Sequence, residues 1–207
     1  MGRLINAHGA GVDHRMGDGI MVLFNDPLPC DDPAGDAVGL AIAMRARMAE
    51  LCLQWKRLGH RLGFGVGVSL GYATVGMVGF EGRFDYTASG TAINLASRLC
   101  DEANDGEILL SPRARIAVED RFPVVSRGEL NLKGIRGPVK VFKLTGIAAA
   151  CLSGSKDERS RAARAPAEPV APAPRCGPTC RGNPLDCRAF CSIYCQSDHG
   201  AGFATAE

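Results

Sequence analysis

Four side chains in this sequence have the types and spacing to act on a phosphate-bearing molecule. Asp18 stands between two glycines in MGDGIMVLF, where a tight turn would project its carboxylate into a cleft. Asn94 and Arg98 are four residues apart and share one face of a predicted helix. Lys133 lies in NLKGIRG. A carboxylate can bind Mg²⁺ or Mn²⁺, an amide can orient a sugar, and a guanidinium can stabilise charge building on phosphorus.

Each of these residues also has a purely structural explanation. Gly-Asp-Gly makes a good hairpin turn for local reasons alone. Asn94 and Arg98 could be ordinary solvated residues on a helix surface, and Lys133 could be an exposed lysine in a turn. The residue types therefore indicate possible chemistry, and the surrounding elements must decide whether they come together.

The first half of the chain predicts a hairpin, a long helix and a strand. Residues 12–24 have the pattern of a strand, a tight turn and a second strand. Asp32 followed by Pro33 predicts a helix start, and apolar residues at three- and four-residue steps extend that helix to about residue 58. LGFGVGVSLGY, residues 62–72, alternates large apolar residues with five glycines or serines, so we expect something to pack very close to its small-residue face.

The second half predicts a helix over residues 90–104, a short strand in EILLS and a short helix capped by Ser111. FPVVSRGELNL and GPVKVFKL then form a closing pair of strands. Hairpins mixed with unevenly spaced helices predict an α+β fold, a mostly antiparallel sheet with helices packed on one face.

Length and charge exclude several classes of protein. The chain has 207 residues and a net charge of +2, so it shows no basic footprint for nucleic acid. No apolar run approaches the ~20 residues of a membrane span, and no leader segment precedes the first strand. We therefore expect a cytoplasmic protein with no nucleic-acid partner and no membrane segment in this chain.

The composition changes after residue 146. Residues 147–175 are charged and then rich in alanine and proline, as in a linker. Residues 176–207 carry five of the nine cysteines, and the spacing of Cys187, Cys191, Cys195 and His199 would place them on one face of a helix. A soft-metal site is one interpretation, but familiar zinc sites use closer CxxC pairs. We expect a disordered, incidental tail.

The stretch FDYTASGTAINLASRL, residues 84–99, resembles the signature of the class III nucleotide cyclases, the catalytic domains of adenylate and guanylate cyclases. The resemblance also covers MGDGIMVLF, the 62–79 strand pair, GEILLS and LKGIRGPVKVFKL, so that residues 1–146 are identified as a cyclase domain. It implies a ferredoxin-like fold and conversion of ATP, with GTP as the alternative, into a cyclic nucleotide for intracellular signal transduction. An unrelated ferredoxin-like domain with a chance signature is a weaker interpretation.

The resemblance also implies roles for individual residues. Asn94 would orient the ribose, Arg98 would stabilise the transition state, and Lys133 would hold the triphosphate, a task that Arg136 nearby could share. Asp18 would bind Mg²⁺ or Mn²⁺. His14 and Thr87 occupy the base-recognition positions; a histidine there departs from the lysine usual in adenylate cyclases, and His14 could equally be a partly exposed strand residue.

The resemblance makes Asp18 the second of two metal-binding aspartates, the first of which lies on a strand several tens of residues earlier in the family, and this sequence shows no such segment ahead of Asp18. We therefore expect a truncated domain whose first strand is missing, with unpaired strand edges where that strand would lie. The resemblance also implies a head-to-tail homodimer in which Asp18 of one chain would face Asn94 and Arg98 of the other. The alternative function is a catalytically inactive cyclase-homology module that dimerises or senses nucleotide.

Overall fold

The computed structural model describes residues 1–26, 29–80, 82–146 and 189–199. These residues form helices α1 (Gly2–Ala7), α2 (Pro33–Arg57), α3 (Thr91–Asp101) and α4 (Pro112–Val118). The strands are β1 (Gly11–Met16), β2 (Gly19–Phe24), β3 (Leu62–Tyr72), β4 (Thr74–Phe80), β5 (Arg83–Ser89), β6 (Ile108–Leu110), β7 (Val124–Leu130), β8 (Val139–Leu144) and β9 (Ala189–His199). None of these helices has both the length and the apolar character that crossing a membrane requires.

The strands form one large sheet and one separate hairpin. The large sheet has seven strands in the order β1-β2-β9-β3-β6-β8-β7, and β4 pairs with β5 alone. Every pair is antiparallel except β3 with β6. The predicted α+β class and mostly antiparallel sheet are confirmed.

Local sequence signals set the starts of α2 and α4 as predicted. The Asp32 carboxylate accepts a hydrogen bond from the Gly35 N–H at 3.0 Å, which caps α2 directly before Pro33. The Ser111 hydroxyl accepts one from the Ala114 N–H at 3.3 Å and caps α4 in the same way. Each side chain satisfies a backbone donor that the first turn of a helix leaves without a partner.

The two faces of β3 meet different helices. Val66 and Val68 are buried in the main core with Val38 and Met44 of α2. On the opposite face, a Cβ added at Gly67 would lie 2.1 Å from the Ala96 carbonyl oxygen of α3, so the helix backbone lies directly on the strand. The predicted close approach is confirmed. The expectation of helices on one face is wrong, because this glycine-rich face is itself a docking surface for α3.

The tail differs from our expectation where the structure describes it. Residues 189–199 are not disordered: they form β9, inserted between β2 and β3. The strand edges that we expected to be unpaired are therefore paired. Local patterns did not reveal this because β9 finds its partners far away in the sequence. Residues 147–188 and 200–207, with the linker and most of the cysteine-rich segment, lie outside the described residues.

Candidate functional site

Asp18 stands at the tip of the β1–β2 hairpin. The pairing of Met16 with Gly19 closes a turn of two residues, Gly17 and Asp18. Gly17 has a φ of +60°, a conformation that glycine adopts with little cost. Asp18 is exposed, so its carboxylate is accessible from solvent.

Helix α3 presents Asn94 and Arg98 away from the sheet. The chain enters the helix through Gly90, where an added Cβ would lie 3.1 Å from the Tyr72 carbonyl oxygen. The helix buries Ala96, Leu99 and Cys100, among others, on its other side. Asn94 is exposed and Arg98 half-buried, as expected for two residues one turn apart on the outer face.

Arg98 has an ionic partner that the sequence reasoning missed. Its Nη1 lies 2.6 Å from an Asp101 carboxylate oxygen, and the two side chains are 38% and 40% exposed. The i,i+3 spacing was the available signal. Because an exposed ion pair contributes little free energy, an incoming phosphate can replace Asp101 at small cost.

The loop carrying Lys133 packs against α3. Leu132 is buried in the same cluster as Leu99, and Ile135 packs on that cluster. Lys133, between these two anchors, and Arg136, directly after the second, are both exposed. The structure thus places Lys133 on a loop that packs against α3, the helix that carries Asn94 and Arg98. We call these three residues the helix half-site.

The two candidate base-recognition residues lie on strands that touch each other. His14 belongs to β1 and has Met21 as its Cα partner, whereas Thr87 belongs to β5 opposite Gly76. β1 lies against β5. Thr87 is half-buried; the side chain of His14 falls outside what the structure describes.

Within one chain, Asp18 and Lys133 lie far apart. Asp18 ends the β1–β2 hairpin at one edge of the sheet, and Lys133 belongs to the β7–β8 connection at the other. β2 and β8 are four strand spacings apart, which is about 19 Å. Asp18, the hairpin half-site, therefore cannot meet Lys133 around one phosphate within one chain.

The described residues offer one carboxylate in the place where a divalent metal is expected. They contain no group of three or more histidine, cysteine, aspartate or glutamate side chains able to hold an ion. Mg²⁺ commonly takes one or two carboxylates and completes its shell with water and substrate phosphates. Asp18 thus fits a metal that arrives with a nucleotide, and it does not fit a metal held by this chain alone.

Glu107, directly before β6, forms a charged cluster with Arg127 of β7 and Lys143 of β8. Its carboxylate accepts a hydrogen bond from Lys143 Nζ at 2.7 Å and lies 3.2 Å from Arg127 Nη1. Burial by itself raises the pKa of Glu107, but these two cations and a hydrogen bond from the Asn104 backbone lower it overall. The charged form of Glu107 therefore ties β6 to β7 and β8.

A separate cavity of about 720 Å³ lies between the C-terminal half of α2 and the start of β3. Its lining includes Arg45, Lys56, Arg61 and Asp105 and none of the predicted site residues. Volume alone would make it a ligand pocket, but the residues predicted to act on a phosphate-bearing molecule lie elsewhere.

Comparisons with known proteins identify the family. Residues 1–146 match the model of the adenylate and guanylate cyclase catalytic domain. An adenylate cyclase of Anabaena cylindrica is 35% identical over 100 residues, covering 48% of this chain and 20% of that protein. An adenylate cyclase of Mycobacterium bovis is 29% identical over 143 residues, covering 69% of this chain and 31% of that protein. This chain thus spans a third or less of either relative's length.

Solved structures agree with the family match. The adenylyl cyclase CyaB from P. aeruginosa superposes with a TM-score of 0.67 at 34% identity, covering 70% of this chain and 76% of that one. The guanylyl cyclase Cya2 gives a TM-score of 0.66 at 33% identity, covering 72% and 76%. With the hairpin, the glycine-packed helix and the Lys133 loop in place, the chain belongs to the adenylate and guanylate cyclase catalytic domain family.

Proposed function

We propose that this domain converts ATP into cyclic AMP and pyrophosphate, with GTP as the alternative substrate. The observation that carries the proposal is the helix half-site: α3 presents Asn94 and Arg98 on its outer face beside the loop that carries Lys133. An amide and two cations on neighbouring elements suit a ribose joined to a triphosphate. Membership of the cyclase family supports the same reaction.

In the proposed reaction the ribose 3′-oxygen attacks the α-phosphorus and the bond to pyrophosphate breaks. Asn94 orients the ribose so that the oxygen lies in line with the leaving group. Arg98 stabilises the negative charge that builds on the phosphoryl oxygens, and Lys133 holds the triphosphate. A divalent cation bound by Asp18 would lower the pKa of the 3′-hydroxyl and neutralise phosphate charge.

The complete site is proposed to form between two copies of the chain, arranged head to tail. The separation of Asp18 from Lys133 within one chain supports this arrangement. A second support is the β4–β5 hairpin, which exposes large apolar side chains: Met77 by 63%, Phe80 by 70% and Phe84 by 56%. Exposed apolar groups clustered in this way are typical of protein interfaces.

Of the two base-recognition residues, Thr87 is compatible with ATP, whereas His14 weakens the case for ATP over GTP. The Thr87 hydroxyl can accept a hydrogen bond from the 6-amino group of adenine or donate one to the 6-oxo group of guanine. His14 replaces the usual lysine and could donate to a ring nitrogen of adenine. Relatives described both as adenylyl and as guanylyl cyclases resemble this chain equally well.

A turnover assay with purified chain and MnATP or MnGTP tests the proposal. We expect cyclic nucleotide from the unaltered chain, and at least about a hundredfold less from Asp18→Ala and Arg98→Ala. Asp31→Ala and Arg113→Ala are matched controls, because both residues are exposed and lie outside the proposed site. Production unchanged by Asp18→Ala and Arg98→Ala would contradict the assignment.

The inactive-module alternative predicts a different result. The unaltered chain would then form no cyclic nucleotide with either substrate, while calorimetry would still detect nucleotide binding or sedimentation would detect a dimer. The observation that favours this alternative is that the described residues contain no group of three or more side chains able to hold a metal ion.

A further inference from the structure

We propose that the domain contains a strand-binding slot between β2 and β3, that the segment Ala189–His199 fills it as a donor strand, and that this strand fixes the Asp18 hairpin in the sheet. The proposal concerns assembly of the fold and stands whether or not the chain turns over nucleotide.

The sheet topology shows what β9 connects. β9 pairs with β3 along all 11 of its residues, from Tyr72 opposite Ala189 to Leu62 opposite His199. It also pairs with β2 from Phe24 opposite Cys191 to Ile20 opposite Cys195. Among the described strands of the large sheet, β2 has no neighbour except β1 and β9. The hairpin carrying Asp18 therefore joins that sheet through β9.

The walls of the slot belong to the main hydrophobic core. Val22 and Phe24 on one side and Val66 and Val68 on the other are all buried in that core. A gap between them would expose apolar surface and two rows of backbone N–H and C=O groups. A strand can cover the apolar surface with its side chains, and its backbone can form a hydrogen-bond ladder with the strand on each side.

The sequence of β9 suits the slot at the positions that register with the core. Ile193 is the Cα partner of both Val22 and Val68, and Cys195 is the partner of both Ile20 and Val66. Cys191 is opposite Phe24 and Leu70. Isoleucine and cysteine are among the residue types most often buried. An apolar strand added to two exposed edges is the mode by which extended peptides bind to sheets.

The segment is tethered to the domain that it completes. Roughly 44 residues separate Leu144, the end of β8, from Ala189. At ~3.3 Å per extended residue, a segment of this length can reach any edge of a small domain. Filling the slot is then an intramolecular event with a high effective concentration, so the chain can complete its own sheet.

Disulfide trapping in the full chain tests the register directly. Ile20→Cys places a thiol opposite Cys195, at a spacing of neighbouring strands that a disulfide can bridge. Met21→Cys is the matched control, because a shift of one residue moves its side chain to the other face. We expect mild oxidation and peptide mapping to find about ten times more of the 20–195 than of the 21–195 disulfide. Equal yields, or no 20–195 disulfide, would overturn the register.

Amide exchange tests whether the strand holds the hairpin. Ile193→Pro removes one ladder donor from the centre of β9. We expect amide exchange in β2 and β3 to become about a hundredfold faster than in Ala171→Pro, a control within the proline-rich segment. Equal protection in the two variants would overturn the proposal. If Ile193→Pro also loses protection in β8, far from the slot, the disulfide yields alone decide.

These measurements distinguish the donor strand from the proposed enzymatic function. A correct register with an inactive chain would support the donor strand while contradicting the proposed function. An active chain in which the 20–195 disulfide does not form would do the reverse.

Discussion

The two half-sites are attached to the fold in opposite ways. The helix half-site belongs to one continuous stretch of chain: α3 lies on the glycine face of β3, and Leu132 ties the Lys133 loop to Leu99. The hairpin half-site also packs into the main core, through Val22 and Phe24 of β2, but its backbone ladder depends on a distant segment. Its strands join the sheet through β9, which comes from beyond residue 188.

This contrast indicates where the domain is robust and where it is vulnerable. Packing of backbone against backbone tolerates almost no added volume, but it does not depend on a distant segment. A strand supplied from far along the chain has the opposite properties, because its pairing must pay loop-closure entropy before it stabilises anything. We therefore expect the helix half-site to be sensitive to point substitutions and the hairpin half-site to be sensitive to the state of the tail.

The largest expected effect is on the packing of the helix half-site. In Gly67→Ala the new Cβ would lie 2.1 Å from the Ala96 oxygen and 2.5 Å from the Cys100 nitrogen, both backbone atoms. We expect the free energy of unfolding to fall by about 3 kcal/mol, measured by urea denaturation. Gly76→Ala is the control, since a Cβ there meets nothing within 4 Å. Similar losses in both variants would mean that α3 does not rest on Gly67.

A smaller effect should distinguish nucleotide binding from folding stability in the helix half-site. Lys133→Ala removes an exposed cation from the proposed triphosphate position, so we expect KM for the nucleotide to rise about tenfold, ~1.4 kcal/mol, at unchanged stability. Lys140 is also an exposed lysine but lies on β8, and Lys140→Ala should leave KM unchanged. An unchanged KM in Lys133→Ala would indicate that a neighbour such as Arg136, and not Lys133, contacts the phosphates.

The smallest effect concerns the charged cluster of Glu107, Arg127 and Lys143. The pKa of Glu107 is lower in the folded chain than its usual 4.5, so its charge stabilises the fold above that pH and the gain disappears as the pH falls through the folded pKa. We expect Glu107→Gln to cost about 1 kcal/mol at pH 7, because its cationic partners are partly exposed.

The pH dependence supplies the control for this prediction. The difference between Glu107→Gln and the unaltered chain should shrink in denaturation curves from about pH 4.5 downward. Glu119→Gln removes the partner of Arg115 in a pair whose side chains are 40% and 39% exposed, and it should cost almost nothing. A constant difference down to pH 3 would show that Glu107 acts through packing.

Short-range signals made most of the fold predictable. Asp32 and Pro33 marked the start of α2, and the alternation in LGFGVGVSLGY gave both the bounds of β3 and the close packing on its small-residue face. Asn94 and Arg98 were placed on one face by spacing alone. These features depend on residues within a few positions of one another, which is why a single sequence contains them.

The features that were missed depend on distant parts of the chain. The segment AFCSIYCQSDH does not indicate that it would pair with β2 and β3. The apolar pattern of a strand shows which of its faces is buried, but it does not identify the strands with which it pairs. The docking of α3 on the second face of the sheet also depends on tertiary packing. The ion pair of Arg98 with Asp101 was within reach of the i,i+3 rule and was overlooked.

Mixing two inactive variants tests most directly whether the half-sites of different chains meet. Asp18→Ala keeps the helix half-site and Arg98→Ala keeps the hairpin half-site, so a mixed head-to-tail dimer contains one intact site. Random pairing then predicts recovery of about a quarter of the unaltered activity, with neither variant active alone. If the mixture stays as inactive as its components while mixed dimers are shown to form, the two half-sites do not meet across the interface and the account is wrong.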